Sequence, residues 1–227
     1  MLTIVSNNHC TMSEIRFRIA KPSDAKQLAY CHWHVRERYT QGIFLSLGKS
    51  FLRTYYKIIL DDPNEVVVCA EKDGKVIGFS SATLDAASQA KTLKKHKIKL
   101  GLSALWAIIC KPSLLKGVWQ RYRSLSNDKN APEFVHTEGV RGEYWCWLKE
   151  YEDGFKSVEV GKAKENIIYD LGYKELFFEV DKFNKRVYKF YTKIEKCEPL
   201  EEITLPDGRE RVLFKKNLKH TESVLEH

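Results

Sequence analysis

The stretch GYKELFFEVDKFNKRVYKFYTKI, residues 172–194, predicts three consecutive structural features that decide the fold. Residues 174–180 contain two phenylalanines and a valine and are predicted to form a strand. Residues 184–194 are predicted to form a helix, with Asn184 as its N-cap. Gly172 is typical of the position just past a helix C-terminus. The stretch therefore predicts a helix end, a strand and a second helix.

The segments around this stretch supply the other elements. Apolar and polar residues alternate over 14–20, as in a half-buried strand, and Asp73-Gly74 is a strong hairpin turn. Strands are predicted at 14–20, 65–71, 75–85, 142–150 and 174–180, and two further strands form a C-terminal hairpin whose turn is 206–208. Helices are predicted at 22–39, 46–60, 89–110, 113–125, 157–171 and 184–194. This order predicts a mixed α/β (α+β) fold, with a mostly antiparallel sheet and one parallel crossover around helix 157–171.

The composition is typical of a soluble globular chain: of 227 residues, 30% are charged and 43% are hydrophobic. No apolar run approaches the roughly 18 residues of a membrane span, and the N-terminus has no signal-peptide pattern. Met12 is a candidate start, so we expect an extension at 1–11, a single domain at 12–224 and a tag remnant at 225–227. The six cysteines are scattered without a CxxC pair, which predicts reduced thiols and a cytoplasmic protein.

The positive charge is concentrated in one segment. Nine lysines and arginines and no acids lie between Ser88 and Asn127, against a net charge of +8 for the whole chain. We interpret 86–132 as a basic helical insertion with three candidate roles: a solvated face, attraction of an anionic acceptor such as a nucleotide-linked amino sugar, or peripheral contact of 91–123 with an anionic membrane. Trp106, Trp119 and Tyr122 suit the third role. No nucleic-acid motif accompanies the charge.

The element order and three local signatures resemble the GNAT superfamily of acyl-CoA-dependent N-acyltransferases. The signatures are the hairpin DGKVIGF at 73–79, the strand–loop–helix at 172–194 with Asn184 and Tyr191, and the helix LSLGKSFLRTYYKIIL at 45–60, which resembles one bacterial branch. The resemblance covers about 14–218 apart from the basic segment. It implies a GNAT-like sheet and transfer of an acetyl group from acetyl-CoA to a primary amine of a small molecule.

The resemblance also implies a binding mode for acetyl-CoA, the acyl-donor substrate. It would lie in a V between strands 142–150 and 174–180, with its pyrophosphate at the N-terminus of the intervening helix, where unpaired N–H groups and the helix dipole attract an anion. Tyr191 would protonate the leaving thiolate, although a tyrosine on this apolar face is also a typical core residue. The implied cofactor-binding residues are Trp147, Leu148, Phe155, Lys156, Ser157, Val158 and Asn184.

The loop YEDGFKSVEVGKA at 151–163 departs from the family's phosphate loop, which prefers Arg or Gln first, Gly fourth and Gly or Ala sixth. One register places Glu152, Phe155 and Ser157 at these positions, with Ser157 as N-cap. A second register starts at Lys156 but shortens the helix by a turn, so we prefer the first. Neither restores the pattern. A non-catalytic GNAT-like binding or interaction module, with weak or lost acetyl-CoA binding, therefore stays open as the alternative.

Candidates for the acceptor side are acids and histidines. Glu143 is our candidate general base, with Glu150, His136 and Glu138 as alternatives near the same strand. His34 and Glu150 are candidate substrate contacts. Cys31 and His34 have the i,i+3 spacing of a helical metal pair, but two ligands do not make a site, so we predict no metal. A homodimer is left open.

Overall fold

The structure, a computed structural model, describes residues 14–35, 46–116, 136–151, 153–205 and 208–221. The predictions at 1–13, 36–45, 117–135, Glu152, 206–207 and 222–227 lie outside the described residues. The strands are β1 (Arg16–Ile19), β2 (Glu65–Lys72), β3 (Lys75–Thr83), β4 (Arg141–Trp147), β5 (Glu175–Asp181), β6 (Glu198–Thr204) and β7 (Glu210–Asn217). The helices are α1 (Ala25–His34), α2 (Gly48–Ile59), α3 (Ala86–Lys95), α4 (Lys97–Cys110), α5 (Gly154–Asp170) and α6 (Lys185–Lys189), which continues as a π-helical turn (Phe190–Ile194).

The seven strands form one sheet in the order β1-β2-β3-β4-β5-β7-β6. All neighbours are antiparallel except β4 and β5, which are parallel and are connected through α5. A parallel pair cannot be closed by a tight turn, so the long α5 crossover is the connection that this pair requires. The predicted mostly antiparallel mixed fold, with its single parallel crossover, is confirmed.

Each face of the sheet carries its own core. On one face, α1 and α2 pack over the sheet and α4 packs against α2, and Leu52, Tyr56 and Phe79 are fully buried there. On the other face, α5 and the aromatic residues of α6 cover Ile77, Phe178 and their neighbours. This two-sided packing explains the near-continuous apolar runs of β2 and β3, because a strand covered on both faces has no solvent side.

Two turn predictions are confirmed by the backbone. Asp73 and Gly74 have φ of 52° and 71°, the positive values that a two-residue hairpin turn between β2 and β3 requires. Gly172 has φ of 96° directly after α5, as expected of a glycine just past a helix C-terminus. These residues fix where neighbouring elements turn.

The predicted boundaries of one helix and one strand are wrong. The single helix predicted over 89–110 is two helices that meet at His96, and it begins earlier, at Ala86, because the Asp85 carboxylate accepts hydrogen bonds from the N–H groups of Ala87 and Ser88. The strand predicted to reach residue 150 ends at Trp147, and a 3-10 turn over Lys149–Tyr151 follows.

Candidate functional site

The sheet opens between β4 and β5. The two strands pair only at Arg141–Phe177 and Gly142–Phe178, and no ladder pair joins them beyond these residues. Pairing that ends here is what the predicted V-shaped opening requires. Beyond Gly142, β4 keeps its pairing with β3 on one side, while its other backbone edge pairs with no strand of the described residues.

A bulge in β4 lies at the narrow end of this opening. Ser80 pairs with Trp145 and Ala82 pairs with Gly142, so between these two pairs β4 contains one residue more than β3. Such a bulge re-aims side chains and interrupts the ladder. At the bulge, the Tyr144 N–H donates to the hydroxyl oxygen of Ser81 at 3.1 Å.

Aromatic rings meet across the opening on the α5 side. The Trp145 ring on β4 lies 5.5 Å from Phe190 and 6.4 Å from Tyr191, measured between ring centroids. Its indole Nε1 donates to the carbonyl oxygen of Ser157 at 2.8 Å. The crevice left between α5 and the turn after α6 has a volume of about 20 Å³, which is room for about one water. In this conformation the crevice is closed.

A larger cavity of about 400 Å³ adjoins the crevice and shares Lys162, Glu165, Glu195 and Lys216 with it. The Lys216 ammonium lies between the two acids, 2.8 Å from Glu165, with Glu195 on its other side at 2.5 Å. Its charge is therefore compensated within the fold.

The N-terminus of α5 is capped by Asp153, so the prediction that Ser157 is the N-cap is wrong. The Asp153 carboxylate accepts from the N–H groups of Phe155 at 3.0 Å and Lys156 at 2.9 Å. The Ser157 N–H donates to the Asp153 carbonyl, so Ser157 lies within the first turn. An Asp is as good an N-cap as Ser and lies one turn earlier, which lengthens the helix.

This cap changes what the helix end offers to an anion. Two of the first N–H groups already bond a carboxylate, and the Lys156 ammonium lies 2.8 Å from Glu159. The Phe155 side chain is 86% exposed, so it does not line the crevice. Of the predicted residues in this turn, Val158 does line it, beside Trp145.

Trp147 and Leu148 are held by the fold itself. The Trp147 indole donates to the Tyr151 carbonyl at 2.6 Å, and its ring lies against Gly78, where an added Cβ would come within 2.3 Å of it. The Leu148 N–H donates to the Ile77 carbonyl. Trp147 belongs to the core on the α5 face of the sheet and Leu148 to the core on the α1 and α2 face, and neither lines the crevice.

Tyr191 lies where the strands diverge. Its ring packs on Phe178 at 4.4 Å between centroids, and its hydroxyl makes no hydrogen bond within the described residues. Burial, followed by the nearby Glu165 charge, raises its pKa above the usual value, so the phenol stays protonated. Asn184 is the N-cap of α6, as predicted, and its Oδ1 accepts the Val187 N–H at 3.4 Å.

Lys164 is a site residue that sequence reasoning missed. It is 7% exposed, lines the crevice with Trp145 and Tyr191, and has no ion pair or hydrogen bond to any described residue. Burial lowers its pKa because desolvation disfavours the ammonium form. A buried lysine without a partner is uncommon. The sequence contains one signal for this burial, since Lys164 directly follows Ala163 on the side of α5 that faces the sheet.

Glu143 lies on the opposite side of the sheet, toward α2. Its carboxylate pairs with Arg141 at 2.8 Å and lies 3.4 Å from the Tyr55 hydroxyl. Arg141 also donates to Gln89 at 2.7 Å. Sequence reasoning named Glu143 but missed Arg141, although opposite charges two residues apart on a strand are a signal for a shared face.

Glu65 completes this buried polar cluster. Its carboxylate oxygens are buried, and although Thr83 and Gln89 lie close, none of the described residues gives them a hydrogen bond of normal geometry. Burial, followed by repulsion from Glu143, raises the pKa of Glu65 to about 9. Glu65 is therefore protonated at neutral pH.

The other predicted acceptor residues lie near α1. His34 ends α1, with its ring 4.2 Å from Tyr30 between centroids. Glu150 lies in the exposed 3-10 turn and contributes to the raised pKa of the Cys31 thiol, about 12, which is mainly due to burial. Within the described ranges no group of three metal-ligating side chains occurs.

Comparison with known proteins supports the fold. No protein-family model matches the sequence, and no curated protein matches it. Among solved structures, a Desulfovibrio desulfuricans protein assigned to the GNAT family of acetyltransferases is similar, with a TM-score of 0.57 at 11% identity over 91% of this chain and 100% of that one.

Two further similar structures were solved with ligands. The yncA protein of Salmonella typhimurium, with its cofactor acetyl-CoA, has a TM-score of 0.54 at 8% identity over 93% of this chain and 98% of its own. The PaiA N-acetyltransferase of Thermoplasma acidophilum, in complex with coenzyme A, has a TM-score of 0.52 at 12% identity, covering 90% and 99%. This chain has the GNAT fold, which confirms the predicted resemblance at the level of fold.

Proposed function

We propose that the protein transfers an acetyl group from acetyl-CoA to a primary amine of a small molecule. The observation that carries the proposal is the divergence of β4 from β5, with Glu143 on the α2 side of the sheet and Tyr191 on the α5 side. A proton acceptor and a proton donor on opposite sides of one opening suit attack from one side and departure of the thiolate to the other.

The free edge of β4 is the proposed binding surface for the donor. Beyond Gly142 its backbone N–H and C=O groups on that side pair with no strand in the described part of the chain, and an extended arm with amide groups can pair with such an edge as an added strand would. A backbone N–H of β4 would then polarise the thioester carbonyl. The closed crevice requires the Trp145 ring to move from its bond with Ser157 when the arm enters.

We propose that Glu143 accepts the proton of the amine. It is buried and held by Arg141 and Tyr55, so its orientation is fixed before the amine arrives. His34 and Glu150, near α1, stay proposed contacts for the remainder of the acceptor.

On the donor side, Tyr191 is the proposed acid for the leaving sulfur. The raised pKa keeps its proton available but makes it a weaker acid. We propose that Lys164, which lines the same crevice and forms no ion pair with a described residue, stabilises the negative charge that develops there. Its lowered pKa brings it nearer to that of a thiol, which favours proton transfer.

The α5 N-terminus supports only a weak phosphate contact. Asp153 already occupies the Phe155 and Lys156 N–H groups, and its charge repels an anion. This cap and the closed crevice favour the competing function, a non-catalytic GNAT-like module with weak acetyl-CoA binding. The acceptor that we propose is an anionic or nucleotide-linked amino sugar, supported by the net charge of +8 of the chain.

The experiment is a thiol-release assay with acetyl-CoA and a panel of primary amines that includes amino sugars and their nucleotide-linked forms. Tyr191→Phe should lower turnover by about 100-fold or more, with an unchanged dissociation constant for acetyl-CoA. Tyr188→Phe, which removes a phenol from the same helix, is the matched control and should keep full turnover. Equal turnover of Tyr191→Phe would remove Tyr191 from the mechanism, and no turnover of the unchanged chain on any amine would contradict the enzymatic function.

A further inference from the structure

Helix α4 carries an apolar stripe on its outer face. Ile98, Leu102, Leu105, Trp106 and Ile109 are 73%, 68%, 50%, 74% and 60% exposed. Their spacing of i, i+4, i+7, i+8 and i+11 places them on one side of the helix. Isolated exposed apolar residues are ordinary, but a contiguous stripe of large ones marks an interaction surface.

The inner face of the same helix is anchored. Leu100 and Ala104 are buried, and Ile108 packs against the core cluster that contains α2. The helix therefore cannot rotate to hide its outer stripe without exposing an equal inner one. The outward orientation of Trp106 follows from this anchoring.

Uncompensated lysines surround the stripe. Lys91, Lys94, Lys95 and Lys99 are exposed around its N-terminal end, and Lys111 and Lys116 lie just past its C-terminal end. None of these six lysines forms an ion pair with another described residue, and the sequence from Ser88 to Asn127 contains no acid. The surface is thus apolar at its centre and cationic at both ends.

This charge pattern argues for one occupant. A second copy of the chain, docked through the same stripe, would bring lysines against lysines. A neutral apolar partner would offer no negative charges to the lysines. An anionic bilayer offers acyl chains for the stripe, phosphates for the lysines and an interface that tryptophan prefers.

The dimensions fit contact with one leaflet only. None of the helices in the described ranges is long and apolar enough to cross a membrane. The 14 residues of α4 extend roughly 21 Å, against a hydrocarbon core of roughly 30 Å. We propose that α4 docks in the plane of an anionic lipid surface, with the stripe at the headgroup–acyl boundary and the lysines on lipid phosphates.

The test is co-sedimentation of the full chain with vesicles of phosphatidylcholine alone or with 30% phosphatidylserine. We expect binding only to the anionic vesicles, weakened by salt. Trp106→Asp and the double variant Lys94→Glu/Lys95→Glu should each reduce the partition coefficient about tenfold or more. The double variant Lys26→Glu/Lys57→Glu makes the same charge change on exposed lysines of α1 and α2 and should bind as the unchanged chain does.

Additional readouts separate lipid contact from other causes. Brominated lipids should quench tryptophan fluorescence in the unchanged chain and much less in Trp106→Phe, while the circular dichroism of both stays the same. Equal binding to neutral vesicles, or equal loss in the Lys26/Lys57 control, would overturn the proposal. So would the absence of vesicle binding together with dimerisation that Trp106→Asp abolishes, since the stripe would then serve a second copy.

Discussion

Arg141 and Glu143 form an ion pair of 2.8 Å at the start of β4, and their side chains are only 7% and 1% exposed. A buried pair of this kind is costly to break from one side, by about 3–5 kcal/mol, because the remaining charge is left uncompensated. Glu65 is a second buried carboxyl group nearby, and its raised pKa keeps it protonated, while Arg141 pairs with Glu143.

Glu65→Gln should therefore flatten the dependence of stability on pH. The pKa of Glu65 is raised to about 9 in the folded chain from an ordinary value of 4.5, so the folded state binds more protons than the unfolded state between these values. The stability that this group contributes is present below pH 4.5 and is lost as pH rises toward 9. Glutamine keeps the shape and does not titrate.

The measurement is urea unfolding at several pH values between 5 and 9. The midpoint of the unchanged chain should fall relative to that of Glu65→Gln as pH rises. Glu71→Gln, at a half-buried position on the same strand, is the control for removal of one carboxylate. A difference between the chain and Glu65→Gln that is constant over this range would show that Glu65 does not titrate abnormally.

Asp153→Ser should separate helix capping from phosphate repulsion. Serine keeps an N-cap oxygen for the Phe155 and Lys156 N–H groups but removes the charge. We expect stability within about 0.5 kcal/mol of the unchanged chain and tighter binding of acetyl-CoA, whereas Asp153→Ala should lose about 1 kcal/mol. Thermal unfolding measures the change in stability, and calorimetric titration measures the change in affinity for acetyl-CoA.

Salt provides the check on this prediction. Raising the ionic strength should narrow the affinity difference between Asp153→Ser and the unchanged chain, because the repulsion is electrostatic. Weaker acetyl-CoA binding by Asp153→Ser at every salt concentration would mean that the carboxylate helps rather than opposes the ligand.

Lys164→Met should raise stability at neutral pH and lower turnover. The folded-state pKa of Lys164 is lowered from 10.5 by burial, so the unfolded state binds more protons between the folded pKa and 10.5. The resulting penalty is full below the folded pKa and disappears as pH approaches 10.5. Methionine fills a similar volume without a charge.

Denaturation at pH 7 and pH 10 tests the stability part, and the thiol-release assay tests the catalytic part. The advantage of Lys164→Met should shrink at pH 10. Lys57→Met, at an exposed position of α2 away from the crevice, should change neither stability nor turnover appreciably. Loss of stability in Lys164→Met at pH 7 would mean that the ammonium has a stabilising partner.

Local patterns predicted the elements, but not the contacts between them. The turns at Asp73-Gly74 and Gly172 follow from backbone requirements of single residues, and they were correct. The helix start at Asp153 was missed because Ser157 is an equally good cap by type, and only the structure shows which one bonds the first N–H groups.

The site was only partly predictable for a related reason. Glu143 and Tyr191 could be named because they lie on a strand and a helix recognisable in the sequence. Glu65 and Tyr55 meet Glu143 only through the packing of β2, β4 and α2. Lys164 could not be distinguished from the many solvated lysines, because its burial depends on how α5 crosses the sheet.

Thermal unfolding with acetyl-CoA tests the central claim most directly, since both the transferase and its mechanism require that acetyl-CoA binds at the opening between β4 and β5. At 100 times its dissociation constant the ligand should add about 2.7 kcal/mol of stability, and Trp145 fluorescence should change as its ring leaves the Ser157 carbonyl. A shift with both acetyl-CoA and CoA but no turnover would favour the non-catalytic module. No shift at millimolar acetyl-CoA would contradict the account.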